Sequence, residues 1–301
     1  MGFISELFGY VLNALYNLIS NYGIAIIIFS VLLRLILIPI TIKQQKTMKK
    51  SNEMQQEMKN IQAKYKNNPE KLNQETMELY KREGLSPFSG CFTAILQLLI
   101  ILSVFWLVSQ PLTYMKRVQN SEIYKEYKTA VEADTSKSSY KEIAIINKAT
   151  EDYQNIVNEL QNENVENREE LENKKAQLEE LRINMEFLGL DLSKVPTQSL
   201  NDWKVYIIPV LYVITSFISI RITTKTQISK SKNEEEKAPE LESMEQMNKS
   251  MSYMMPIMSI SIAVIAPLGL ALYWLVSNIL MIVERLVINK FMSSKEEKEN
   301  A

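Results

Sequence analysis

Residues 22–42 read YGIAIIIFSVLLRLILIPITI, an apolar run with a single charged side chain, Arg34, near its middle. A bilayer-spanning α-helix needs roughly 17 to 25 predominantly apolar residues, and this run meets the requirement. Four more follow: Cys91 to Val108, Val205 to Ile222, Tyr253 to Ala266 and Leu268 to Ile288. The expected fold class is therefore all-α, a polytopic membrane protein of five transmembrane helices, the fourth short. Whole-chain averages hide this pattern: the mean hydropathy is −0.11 and the formal net charge −1, because charged loops alternate with apolar runs.

Arg34 is the most informative residue. An arginine at mid-bilayer costs on the order of 3 kcal/mol on insertion scales, so it normally faces a bundle interior or a water-filled cavity. No equally central Asp or Glu stands in the other runs, and Glu284 lies toward the far end of the last one. Arg34 is accordingly expected to meet water, lipid phosphate or a visiting anion; the plainer alternative is snorkelling or a polar contact inside a closed bundle. Polar residues recur at helical spacing on several runs: Ser30, Arg34 and Thr41; Thr93 and Gln97; Thr215 and Ser219; Tyr273 and Ser277. These stripes either converge on a hydrated cavity around Arg34 or make ordinary interhelical hydrogen bonds.

Charge sets the expected orientation. The segment after the first run carries Lys43, Lys46, Lys49, Lys50, Lys59, Lys64, Lys66, Lys71, Lys81 and Arg82, and short basic loops are retained in the cytoplasm. Five spans then put the N-terminus outside and the C-terminus in the cytoplasm. The plan is an interfacial amphipathic helix at 1–20, spans at 22–42, 91–109, 205–222, 251–266 and 268–289, a cytoplasmic helical hairpin at 43–86, an extracytoplasmic helical region at 110–203, a cytoplasmic loop at 223–250 and a cytoplasmic tail at 290–301.

Local signals fill in that plan. Phe3, Leu7, Val11, Leu15 and Leu18 recur at helical spacing, which suits a helix lying in the membrane interface. With no basic n-region and no small-residue cleavage site, no removable signal peptide is expected. Met54, Met58, Ile61 and Tyr65 form a stripe on the first arm of the hairpin; Asn68 can then cap a second arm, with Pro69 at its first position and a stop at Gly84. Outside, Ile146, Ala149, Tyr153, Ile156 and Leu160 form one stripe and Leu171, Leu178, Leu181 and Met185 another, predicting a short antiparallel coiled coil with a polar seam at Lys174 and Lys175. Met244, Met247, Met251, Met254 and Met258 make a methionine stripe, read as a core or lipid-facing surface before an adaptable binding one.

With no His and one Cys, the chain cannot assemble a His-dependent triad, a His/Cys zinc site or an internal disulfide. No enzyme activity and no cofactor are expected. Cys91 reads as a small buried hydrophobe.

The run Leu33-Arg34-Leu35 with Pro39, then Leu79-Tyr80-Lys81, Pro87, Gly90-Cys91-Phe92, Gln97, Met254-Met255-Pro256 and Gly269 through Asn278 (GLALYWLVSN) resembles the YidC/Oxa/Alb membrane insertases. The resemblance implies a five-helix bundle enclosing a hydrophilic groove that opens to the cytoplasm and to lipid, with Arg34 its positive centre. It makes Ser30, Thr41, Thr93, Gln97, Thr215, Ser219, Tyr273, Trp274 and Ser277 candidate groove residues. It also implies the bacterial plasma membrane as location, nascent membrane proteins and the bilayer as partners, the ribosome and the Sec translocon as further candidates, and no nucleic acid read directly. Two departures stand out: Ser219-Ile220 where relatives often carry Gln, and a tail, Lys295-Glu296-Glu297-Lys298-Glu299, that is not strongly basic. The alternatives are a small-solute transporter or anion channel, in which Arg34 selects anions, and a membrane-anchored scaffold displaying the external helices.

Overall fold

Helix-forming residues with no glycine after Gly23 continue the helix of the first apolar run past Ile42. In the computed structural model, α2 spans Tyr22–Lys64, 43 residues, or about 64 Å at the α-helical rise. The first span and the first arm of the hairpin are therefore one helix, continuing through Pro39, a residue transmembrane helices tolerate when neighbours satisfy the freed carbonyl. The structure describes residues 2–84, 89–133, 140–162, 167–228 and 261–299. The methionine stripe, the 229–250 loop, Pro87 and all of the fourth span before residue 261 lie outside the described residues.

The other elements are α1 (Gly2–Ile19), α3 (Pro69–Arg82), α4 (Ser89–Ser109), a π-helical turn (Leu112–Lys116), α5 (Glu122–Ala133), α6 (Lys141–Leu160), α7 (Arg168–Leu181), a β1–β2 hairpin (Glu186–Phe187 and Leu190–Asp191), short 3-10 turns at Pro196–Gln198 and Trp203–Tyr206, α8 (Ile207–Ile228) and α9 (Leu268–Glu299). Among the described residues, three helical stretches are long and apolar enough to cross a membrane: Tyr22–Thr47, Trp203–Ile222 and Leu268–Ile288. A shorter apolar stretch, Ile95–Ser109, lies in α4. The protein is mostly helical and the two-stranded hairpin is its one sheet among the described residues. α9 continues as helix into the expected tail, to Glu299.

The chain divides into two units. The first combines residues 1–31, 99–211 and 262–276. Its core includes Leu12, Tyr22, Ile26, Leu107, Leu112, Met115, Ile145, Ile146, Leu178, Leu181, Leu192 and Leu268. α1 docks on the π-helical turn through small residues: Ser5 Oγ donates to the Ser103 carbonyl at 3.1 Å, and a Cβ at Gly9 would sit 1.9 Å from the Tyr114 carbonyl oxygen. The opposite face of α1 leaves Phe3 78% and Leu18 83% exposed, with Leu7 and Val11 also exposed.

The buried carboxylate of Glu142 on α6 ties the helical region to the π-helical turn. It accepts from the Leu112 and Thr113 amides at 2.7 and 3.0 Å, from Thr113 Oγ1 at 2.5 Å and from the Tyr124 hydroxyl at 3.2 Å. α6 packs on α7 as the stripes predict, and α5 packs on both, an element for which no sequence stripe was identified. α5 and α6 answer the polar seam on α7: Lys174 Nζ bonds Glu126 at 2.7 Å, and Lys175 Nζ lies 5.8 Å from the centre of the Tyr153 ring. Met185 falls past the end of α7, buried in an extended stretch just before β1 rather than on the helical seam. In the β1–β2 turn Leu188 and Gly189 both have positive φ, the backbone a tight two-residue hairpin demands. Within the same unit, Gly269 and Leu268 at the head of α9 donate backbone hydrogen bonds to Leu192 and Lys194.

The second unit combines residues 32–98, 212–261 and 277–301. Its hairpin forms as the caps predict: Asn68 Oδ1 accepts from Lys71 N at 3.1 Å with Pro69 at the first helical position, and Gly84 follows the helix with φ +61°. The arms are clasped by Arg82 with Glu57, by Lys50 with Glu83, and by the Tyr65 hydroxyl with Glu75 at 3.1 Å, while Met54 and Leu79 are buried.

Two outcomes are expected. Gly9→Ala should undock α1, raising hydrogen–deuterium exchange across Gly2–Ile19 while leaving α3 unchanged. Burial pushes the Glu142 carboxyl above the ordinary carboxylate range, against the hydrogen bonds that pull it down. A raised folded-state pKa makes the ionised group a cost that is full above that pKa and is relieved as pH falls through it toward the ordinary value. Thermal midpoints in detergent should therefore move in favour of the wild type over Glu142→Gln between about pH 7 and about pH 5. Glu142→Ala, which leaves two buried amides unpaired, should cost about 2–4 kcal/mol at either pH.

Candidate functional site

Arg34 belongs to the second unit, and so do Thr41, Thr93, Gln97, Thr215, Ser219 and Ser277. Thr41 and Gln45 on α2 lie 7 and 11 positions beyond Arg34, almost whole numbers of helical turns, so the three share a face. Thr41 Oγ1 donates to its own helix at the Leu37 carbonyl, 3.2 Å. Gln45 Oε1 is buried without a hydrogen-bond partner among the described residues. Apolar residues cover the flanks of α2, with Leu35, Ile36 and Ile40 exposed, Ile36 to 72%.

The guanidinium of Arg34 turns to α9. Nη2 donates to the Ser277 carbonyl at 3.3 Å, and Nη1 lies 3.8 Å from Glu284 Oε2, with side chains 18% and 10% exposed respectively. This overturns the expectation that Arg34 has no protein partner. Depth along the chain misled because side chains on a helix lean toward its N-terminus while its carbonyls point toward the C-terminus. The Glu284 carboxylate and the Ser277 carbonyl, two turns apart on α9, therefore approach each other's level, and one long arginine reaches both.

One residue further on, Asn278 is buried and ties α9 to α8. Its Nδ2 donates to Thr215 Oγ1 at 3.2 Å and to Ser216 Oγ at 3.1 Å. Thr215 Oγ1 also donates to the Tyr212 carbonyl at 3.0 Å. The polar stripe on α8 thus serves in part as an interhelical contact, the second of the two readings offered for it. Ser219 is buried on the same helix, and Gln97 is half-buried. The side chain of Thr93 lies outside the described residues. Ser30, Tyr273 and Trp274 belong to the first unit; Ser30 is buried and donates to the Ile26 carbonyl at 2.7 Å, Tyr273 is buried and Trp274 half-buried. Sequence reasoning missed Asn278, Ser216 and Glu284 as site residues. Asn278 was present in the GLALYWLVSN motif, one position beyond Ser277.

Residues 14–296 match the family described as 60Kd inner membrane protein. The chain belongs to this family. It is 24% identical over 94% of its length to a protein of Treponema denticola, of which it covers 37%. It is 39% identical over 35% of its length to one of Caldanaerobacter subterraneus subsp. tengcongensis, covering 51% of it, and 37% identical over 34% to one of Fusobacterium nucleatum, covering 50%. All three are named membrane protein insertase YidC. The chain spans between about a third and a half of the length of these curated relatives. The family and the apolar helices agree on a bacterial inner-membrane protein, and membership bears out the resemblance carried by Arg34 and the GLALYWLVSN motif. In this family member, Asn278→Leu should remove the α8–α9 hydrogen bonds and lower stability by about 1 kcal/mol, the usual size of such contacts in membranes, read as a lower midpoint of denaturant unfolding in detergent.

Proposed function

We propose that this chain is a membrane protein insertase in which Arg34 receives short hydrophilic segments of nascent membrane proteins. The observation that carries this reading is an arginine on an apolar helix whose guanidinium is partly exposed and only loosely paired, 3.8 Å from Glu284. A fixed structural arginine would be expected in close, charge-assisted hydrogen bonds of about 2.7–2.9 Å. The names of the similar proteins support the same activity. The reaction is transfer and partitioning rather than bond chemistry, so no nucleotide or cofactor takes part.

In this reading five spans enclose a hydrophilic groove open to the cytoplasm, lined by Arg34, Thr41, Gln97, Thr215, Ser219 and Ser277. The N-terminus lies outside, the α2–α3 hairpin and the C-terminus lie in the cytoplasm, and α5–α7 form the external coiled-coil-like insertion. A hydrophilic segment held in the groove crosses a thinned stretch of membrane without losing all of its hydration. Acidic residues in it are drawn to Arg34. The apolar helix of the substrate then leaves into lipid along the faces where Leu35 and Ile36 on α2, Phe217 and Ile218 on α8, and Val283 and Leu286 on α9 are exposed. The bilayer is thus a partner, with the ribosome and the Sec translocon as candidate donors of substrate.

Complementation in insertase-depleted cells tests the role of Arg34. Arg34→Glu should lower insertion of an acidic-tailed substrate by tenfold or more, and Arg34→Ala by less, as repulsion is stronger than loss of attraction. Wild-type insertion by both variants would overturn the electrostatic role. Robust anion flux through purified chain in liposomes, without insertion, would favour the channel reading instead.

A further inference from the structure

Resting on the insertase reading, we propose that Glu284 is a resident counter-ion that occupies the substrate's place on Arg34 and sets which acidic segments displace it. An arginine carries five N–H donors in a planar fork suited to a carboxylate's two oxygens. Among the described residues the Arg34 fork makes one hydrogen bond, to the Ser277 carbonyl at 3.3 Å. Glu284 stands at 3.8 Å, close enough to balance charge and too far to bond. Both of its carboxylate oxygens are buried, with no hydrogen-bond partner among the described residues. Neither member of the pair is satisfied by the other.

That mismatch has two consequences. While the site is empty, Glu284 neutralises a cation that would otherwise lie uncompensated in an apolar helix, which is the costly state for a buried charge. When a substrate acid arrives with freedom to align both oxygens, it makes the bidentate contact that Glu284, at 3.8 Å, does not make. The resident acid therefore acts as a threshold. Weakly polar or poorly placed segments do not displace it, and well-placed Asp or Glu side chains do.

The test uses the full chain in its membrane and two ribosome-bound test substrates. Their N-terminal tails carry either two Asp or two Asn beside a photo-crosslinking residue, and the readout is the ratio of acidic-tail to neutral-tail crosslinking. Glu284→Gln should raise the ratio about fivefold over wild type, a modest charge effect for a partly solvated site. Glu284→Asp, which keeps the charge but shortens the side chain, should fall between, and it carries the test if the Gln variant does not accumulate. In the Arg34→Gln/Glu284→Gln double variant the ratio should return to about one, since the coupling is lost with its partner. An unchanged or lowered ratio in both single variants, with wild type crosslinking both tails, overturns the counter-ion role while leaving the insertase reading intact. A raised ratio that survives in the double variant overturns it too. Wild type that crosslinks neither tail sinks the insertase reading itself.

Discussion

A guanidinium cannot be left bare within an apolar helix, and the second unit is organised by how Arg34 is answered. Its two partners, the Ser277 carbonyl and the Glu284 carboxylate, both lie on α9. The residue after Ser277 is Asn278, which bonds Thr215 and Ser216 on α8. One stretch of α9 thus sets the register of α2 through a charge and of α8 through an amide. The hydrogen bonds from Arg34 to the Ser277 carbonyl and from Asn278 to α8 are directional, and in an apolar surround a slip of either helix by one residue would strand a polar group at a cost of several kcal/mol.

The first unit follows a different principle, close approach of backbone. Gly9 admits the Tyr114 carbonyl and Gly23 admits the Phe187 ring. Glu142 does on this side what Arg34 does on the other, with the sign reversed: a buried anion gathers two amides and two hydroxyls from separate elements. The difference lies in satisfaction. Glu142 accepts four hydrogen bonds and reads as structural, whereas Glu284 accepts none among the described residues and stands 3.8 Å from Arg34. Hydrogen-bond completeness, more than burial, separates a charge that builds the fold from one available to a substrate.

Much of this was legible in local pattern. The apolar runs gave the helical membrane class because a bilayer imposes a length and a polarity on any span. Asn68-Pro69 and Gly84 gave the ends of α3 because caps act within a few residues. The first apolar run and the first arm of the hairpin form one helix because a change in polarity does not end a helix when no glycine follows. α5 escaped notice because its apolar positions, Ile123, Tyr124 and Tyr127, make a short stripe that gains meaning only against α6 and α7. The polar seam at Lys174 and Lys175, which weakened the two-helix reading, is explained by Glu126 on α5 and Tyr153 on α6.

The sequence by itself determined that this is a helical membrane protein of the insertase family with a cation deep in its first span, since composition, period and motif are local properties. Tertiary structure alone decided that Arg34 pairs with Glu284, that Asn278 rather than Ser277 supplies the side-chain bond to α8, and that Glu142 anchors the π-helical turn. Those partners are set by which helices adjoin and by the direction in which side chains lean from them, and neither is written in the spacing of residues along one helix.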